Sequence, residues 1–197
     1  PQPPVARPLE SGANSEYSEA FINSMLRQII PSIFLLFAAI YLTACAGSQV
    51  LEYTPNGDIK CMRSAQPSNA QLNTLKEQNF STIVNLRSVH TQAEYAAALG
   101  LNYYTIPIQN IQPTPDKVAF FLEILSDESN YPMLIHCGQG IHRTGVMSAI
   151  YRIEMQNWSN QQAAEEMVSN VRFYLTHRDV WHCKDFILNY QRQHARP

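Results

Sequence analysis

His136-Cys137-Gly138-Gln139-Gly140-Ile141-His142-Arg143-Thr144-Gly145 is the stretch on which the reading of this chain turns. The apolar run 132–135 precedes it and the run 146–151 follows it, which predicts a strand, a tight loop and the start of a helix. Within it Cys137 and Arg143 are separated by five residues, with Gly138, Gly140 and Gly145 close by. Glycines let a backbone curl until successive N–H groups point inward. A helix start adds free N–H groups and the positive end of its dipole, and together these cradle a dianion such as phosphate. The same field stabilises a thiolate, so Cys137 is a candidate nucleophile.

Outward from the loop, strand and helix patterns alternate. The turn 55–58 leads into a strand at 59–63. Ser68 and Gln71 have capping-box spacing, and Leu72 and Leu75 continue a helix toward Asn79. Residues 80–86 and 101–108 read as strands, and 92–99 as a helix with Thr91 and Glu94 as its capping box and Gly100 as its stop. Thr114-Pro115 opens a further helix, with Val118, Phe121, Leu122 and Leu125 on one face. A strand at 131–135 feeds the loop. Helices at 146–156, at 161–168 (capped by Ser159 with Gln162) and near 180–192 complete the pattern. This order predicts an α/β fold with a mostly parallel central sheet flanked by helices, and such sheets bind ligands at the carboxyl ends of their strands.

At 197 residues and 45% hydrophobic, the chain can bury one ordinary core. A net charge of −2 with no basic run leaves no footprint for nucleic acid. Cys45, Cys61, Cys137 and Cys183 form no CxxC pair and no zinc spacing, so no metal or cofactor is expected. Trp158, Phe173, Tyr174 and Trp181 read most simply as core.

The front of the chain reads as an address. Residues 1–24 are polar and without hydrophobic periodicity, and are expected to be a disordered or upstream segment. Residues 25–44 have the form of a signal peptide, with a short positive start at Arg27 and an apolar stretch over 29–42. That stretch is short for a membrane span, which needs roughly 20 residues. Leu42-Thr43-Ala44-Cys45 resembles the lipobox of bacterial lipoprotein precursors. The resemblance implies cleavage before Cys45, lipid on its sulfur, and tethering on the periplasmic side of a membrane, the outer membrane being favoured by Ala46. An uncleaved single-span anchor is the alternative. Residues 45–56 then read as a linker passing into a first extended segment, and 57–197 as the catalytic domain. In an oxidising compartment Cys61 and Cys183 could pair, or stay as two buried thiols.

The loop itself resembles the HC-x2-G-x2-R-[ST] signature of the protein tyrosine and dual-specificity phosphatase superfamily. His136, Cys137, Gly140, Arg143 and Thr144 each fall on a pattern position. RSAQPS (63–68), TIVNLR (82–87), TIPI (105–108) and HRTGVMSAIYR (142–152) extend the likeness to small bacterial, sometimes exported, dual-specificity-type phosphatases. The resemblance implies attack by Cys137 on phosphorus, a cysteinyl-phosphate intermediate, and a phosphorylated protein as substrate. Arg143 would clamp two phosphoryl oxygens. The N–H groups of Gly138, Gln139, Gly140, Ile141, His142 and Arg143 would bind phosphate, Thr144 would stabilise the departing thiolate, and His136 would order the loop from behind and help keep the thiol acidic.

A general acid is expected after the strand that precedes this one, where no Trp-Pro-Asp occurs. Asp116 is the candidate, although an Asp in the first turn of a helix is also favoured by the dipole alone, which keeps it ionised. His142 could touch substrate or be a satisfied polar residue at the helix start, and Arg87 could bind substrate, although a structural ion pair is its expected role. The variable loop positions Gly138, Gln139, Ile141 and His142 hold no Lys or Arg, whereas relatives acting on inositol phosphates often carry lysines there. Phosphotyrosine, with phosphoserine or phosphothreonine beside it, is therefore the expected substrate. The alternatives are a lipid, nucleotide or inositol phosphate, or a phosphate-recognising module without turnover. A sulfurtransferase fits His136 and Arg143-Thr144 poorly.

Overall fold

The computed structural model describes residues 48–89, 92–169, 171 and 178–193. Five strands, β1 (Gln49–Tyr53), β2 (Ile59–Ser64), β3 (Thr82–Asn85), β4 (Asn102–Thr105) and β5 (Met133–His136), form one sheet in the order β1-β2-β5-β3-β4. Only the β1–β2 pair is antiparallel; β2, β5, β3 and β4 run parallel. The expected α/β architecture with a mostly parallel sheet is therefore the observed one.

The two strands that flank β5 explain its role. Every residue of β3 and β5 is buried, as a parallel strand covered on both faces requires. Ser64 of β2 and Asn85 of β3 both pair with His136, the last residue of β5. The chain therefore emerges at Cys137 from the middle of the sheet, at the carboxyl ends of three strands.

Six helices accompany the sheet among the described residues: α1 (Asn69–Glu77), α2 (Ala93–Ala98), α3 (Pro115–Ser126), α4 (His142–Gln156), α5 (Asn160–Ser169) and α6 (Arg178–Leu188), with a 3-10 turn at Glu128–Asn130. Their ends follow the local chemistry. Ser68 and Gln71 close a reciprocal capping box on α1, and Ser159 and Gln162 do the same for α5. Gly100 ends α2 at φ +69, with Leu101 N–H donating to Ala96 O and Gly100 N–H to Ala97 O, the Schellman arrangement. Asn79 ends α1 in the same way at φ +63.

Four details differ from the sequence reading. Residues 45–56 are not all linker, because Gln49–Tyr53 is the edge strand of the sheet, paired with β2 through a bulged register. Helix α2 has Gln92 at its N-cap without a side-chain cap bond, since Gln92 instead donates to Pro67 O and Asn69 Oδ1; Thr91 lies outside the described residues. Helix α4 starts at His142, inside the signature, which puts Arg143 and Thr144 in its first turn. Trp181 is 43% exposed and not core, while Trp158 lies half-buried under the Arg152 guanidinium at 4.5 Å; Phe173 and Tyr174 lie outside the described residues. Cys61 and Cys183 are buried free thiols, so of the two alternatives the unpaired one is present.

Residues 1–24, 25–44 and Cys45 fall outside the described residues. Among the described residues no helix is long and apolar enough to cross a membrane, and no three His, Cys, Asp or Glu side chains converge to hold a metal.

Candidate active site

The loop between β5 and α4 is held in shape by its carbonyls. In a trans peptide the C=O and the N–H that follows it point opposite ways, so tying a carbonyl outward turns the next N–H inward. His136 Nδ1 lies 3.2 Å from Cys137 O, and because a carbonyl only accepts, that nitrogen carries the proton. Gln66 N–H donates to Gly138 O at 3.1 Å. Arg63 Nη2 donates to Gly140 O at 2.7 Å, and Ile141 O, 3.5 Å from the same nitrogen, accepts the Gly145 N–H at 2.8 Å. Those four tethers turn the N–H groups of Gly138, Gln139, Ile141 and His142 to the opposite side of the loop. Gly140 N–H donates to the sulfur of Cys137 itself, at 3.2 Å.

Gly140 is the residue this geometry cannot replace. Its φ is +72, and a Cβ there would stand 2.5 Å from Ala65 N, 2.6 Å from Ser64 C and 2.8 Å from Ser64 O. Those are backbone atoms at the end of β2, which cannot move aside. The segment Arg63–Gln66 thus acts as the back wall of the loop, through close contact at Gly140 and hydrogen bonds on either side of it.

The electrostatics favour a thiolate. Cys137 is 3% exposed, and burial alone would push its thiol up. The Thr144 hydroxyl, the N–H groups of Thr144 and Gly140, and the Arg143 charge outweigh that burial and hold the thiol below its ordinary range. Thr144 Oγ1 is buried and has no well-aligned hydrogen bond among the described residues; it acts on the sulfur as a nearby hydroxyl dipole. Arg143 sits in the first turn of α4, with Nη1 donating to Leu86 O at 3.4 Å, which anchors it to the carboxyl end of β3.

His136 is 1% exposed, and burial, opposed only by its bond to Cys137 O, draws its pKa down to about 4, with Arg87 adding to the fall. It is neutral at physiological pH. Its support for the thiolate therefore passes through the position of the Cys137 carbonyl and not through charge.

Asp116 is placed differently. It lies exposed in the first turn of α3, where the Thr114 hydroxyl donates to its carboxylate and holds its pKa below the ordinary value. Thr114 makes no side-chain cap bond to the helix backbone, so its hydroxyl serves Asp116. Arg87 is half-buried at the end of β3, and its charge is felt by both His136 and Tyr103; no ion pair holds it among the described residues. Its backbone N–H is fixed by Asn85 Oδ1 at 2.9 Å.

Two parts of the site were not singled out from the sequence. One is Arg63, 2% exposed, which reaches the loop from the strand beside it. The other is Asn85, which shapes the loop after β3 by donating to Val89 O at 2.9 Å. The run Arg63-Ser64-Ala65-Gln66-Pro67-Ser68, which the family likeness already covers, was the available signal for the first.

Comparison with known proteins agrees with this architecture. The family model described as DSP-PTPase phosphatase fused to NAD+ kinase matches residues 31–181. The inositol diphosphatase DSP3 of Arabidopsis thaliana is 31% identical over 53% of this chain and 59% of its own length. The dual specificity protein phosphatase TpbA of Pseudomonas aeruginosa is 30% identical over 53% of this chain and 48% of its own. The chain thus spans about half the length of these two relatives. The core catalytic domain of the PP-IP phosphatase SIW14 from S. cerevisiae, solved with citrate, superposes with a TM-score of 0.57 at 24% identity, over 66% of this chain and 80% of that one, and shares its fold. With the family match spanning most of its length, the chain belongs to the DSP-PTPase phosphatases of the dual-specificity and tyrosine phosphatase superfamily.

Proposed function

We propose that this chain is a cysteine-dependent phosphatase that hydrolyses phosphotyrosine, and with lower efficiency phosphoserine and phosphothreonine, through a cysteinyl-phosphate. The observation that carries the reading is the buried Cys137 thiol, held acidic by Thr144, Gly140 and Arg143 at the mouth of a loop whose N–H groups converge. In the first step the sulfur lone pair forms the S–P bond as the P–O bond to the leaving group breaks. Arg143 and the inward N–H groups take the charge that builds on the equatorial oxygens. Water then attacks phosphorus, the S–P bond breaks, and the Thr144 hydroxyl stabilises the thiolate that departs.

Asp116 is the proposed general acid for the leaving oxygen. Because its carboxyl is held low, it rests ionised at neutral pH and gives less assistance than a protonated acid would. Aryl phosphates, whose leaving oxygen needs a proton least, are then the better substrates. This supports phosphotyrosine over alkyl esters. A second reading, an inositol diphosphate, draws support from the relative DSP3. The absence of Lys and Arg at Gly138, Gln139, Ile141 and His142 weighs against so highly charged a substrate.

The test is hydrolysis of an aryl phosphate, a phosphotyrosine peptide and an inositol diphosphate, with chelator present, by wild type, Cys137→Ser and Asp116→Asn. The proposal expects the first two substrates to be cleaved by wild type, and only poor leaving groups to suffer, by about tenfold to 100-fold, in Asp116→Asn. Equal rates in wild type and Cys137→Ser would sink it. We also propose that the chain is exported and lipid-anchored through Cys45, on the periplasmic side of a bacterial outer membrane, which rests on the lipobox pattern. Mass analysis of the mature amino terminus tests this, since an unmodified Cys45 would refute it.

A further inference from the structure

We propose that Arg63 is a positioning residue of this site, a guanidinium buried behind the loop that fixes the Gly140 carbonyl outward and so aims the Ile141 N–H group at the phosphate. This rests on the cysteine-phosphatase reading above and names a further residue that the reading needs.

The geometry is specific. Arg63 is the penultimate residue of β2 and pairs in register with Ile135 of β5, two residues before Cys137. It is 2% exposed, and its Nη2 reaches Gly140 O at 2.7 Å. The first turn of α4 passes over the guanidinium at Gly145, where a Cβ would come within 3.6 Å of Nη2 and 3.0 Å of Met167 Cγ. Gly145, next after the signature, thus leaves room for Met167, while at 3.6 Å the guanidinium would be in ordinary contact with a Cβ. Gly140 O takes its hydrogen bond from Arg63, whereas Ile141 O, 3.5 Å from Nη2, already accepts the Gly145 N–H of α4 at 2.8 Å; the peptide that Arg63 holds is the one whose N–H belongs to Ile141.

Stability does not account for a cation here. Arg63 Nε and Nη1 are buried with no hydrogen-bond partner among the described residues. Unmet donors on a buried charge are costly, and an apolar residue of similar volume is often as stable or more so. Burial draws the guanidinium pKa down, while Glu166 on α5 and Cys137 oppose that fall and Arg152 on α4 adds to it. Glu166 is also held by Gln49 Nε2 at 2.6 Å and by Arg152 Nη2 at 3.5 Å, so it keeps partners when Arg63 is removed. Delocalised and always charged, an arginine keeps its proton in such a place where a lysine would tend to lose it. A buried cation with spare donors, pressed against the carbonyl side of an anion-binding loop, fits a role in holding that loop against the repulsion of its own converging N–H dipoles.

The test uses tungstate as an inert oxyanion, with thermal melting beside it, on wild type, Arg63→Met and Arg63→Lys. Loss of a charged hydrogen bond predicts tungstate binding about 10- to 100-fold weaker in Arg63→Met, with the melting temperature unchanged or raised. Arg63→Lys should fall between, because its ammonium stops short of the Nη2 position. Wild-type tungstate affinity in Arg63→Lys overturns the proposal, and it does so even if Arg63→Met does not fold. A fall in melting temperature with unchanged tungstate affinity overturns it as well, in favour of a purely structural role. Neither outcome bears on whether Cys137 is the nucleophile, which the hydrolysis by Cys137→Ser decides separately.

Discussion

Cys61 lies on β2 and Cys137 just past the end of the neighbouring strand β5, both hidden from water, and their thiols are driven in opposite directions. Cys61 is in the middle of β2, where burial and then the Glu52 carboxylate push it far up. Cys137 is one residue past the end of β5, where burial is overcome by Thr144, Gly140 and Arg143. Cys183 on α6 follows Cys61, with burial and Asp179 pushing it up to about 12. Burial alone therefore makes an inert thiol in this molecule. What makes an acidic one is the carboxyl end of the strands, where backbone donors are no longer used up in strand pairing and a helix begins.

That contrast can be broken most directly by exchanging sulfur for oxygen at both places. Cys137→Ser should lower phosphatase activity by about 10⁴-fold or more, as loss of a nucleophile does elsewhere. Cys61→Ser should leave activity in place and cost about 1–3 kcal/mol of stability, because a hydroxyl would be buried in an apolar site. Comparable activity losses in the two would show that the carboxyl end of β5 is not special. Next in size is Gly140→Ala. Its Cβ would meet backbone atoms at 2.5 to 2.8 Å and displace the loop, and a shift of that order costs about 100-fold in kcat/KM. A normal rate in Gly140→Ala would mean that the wall formed by β2 is dispensable.

The last expected effect concerns pH and bears on stability, not on catalysis. His136 has a folded pKa of about 4, below its unfolded value near 6.5, so the unfolded chain binds more protons between those values. Its contribution to stability is fully present above about pH 6.5 and is lost as pH falls toward 4, by about 3 kcal/mol in all. Denaturant unfolding across that window should show the loss in wild type and much less of it in His136→Gln. A pH dependence equal in the two would place the titration elsewhere.

The alternation of strand and helix patterns, the caps at Ser68 and Ser159 and the loop itself were legible in the sequence, because each is set by residues a few positions apart. The role of Arg63 was not, since it depends on β2 lying beside β5, a contact across 77 residues. Strand β1 was hidden for a related reason: as an edge strand with a bulged register it lacks a clean alternation. For Asp116, the ambiguity already present in the sequence persists in physical form. It is an exposed carboxylate stabilised at a helix start, the resting state least suited to donating a proton.

The account's central claim, that the donors around Cys137 make it the attacking atom, is tested most directly by acid quenching during turnover of an aryl phosphate, followed by mass analysis of the cysteine-containing peptides. The account predicts a phosphoryl group on the peptide carrying Cys137 and none on those carrying Cys61 or Cys183. Steady turnover with no phosphoryl group on Cys137 at any quench time, together with full activity in Cys137→Ser, would contradict it.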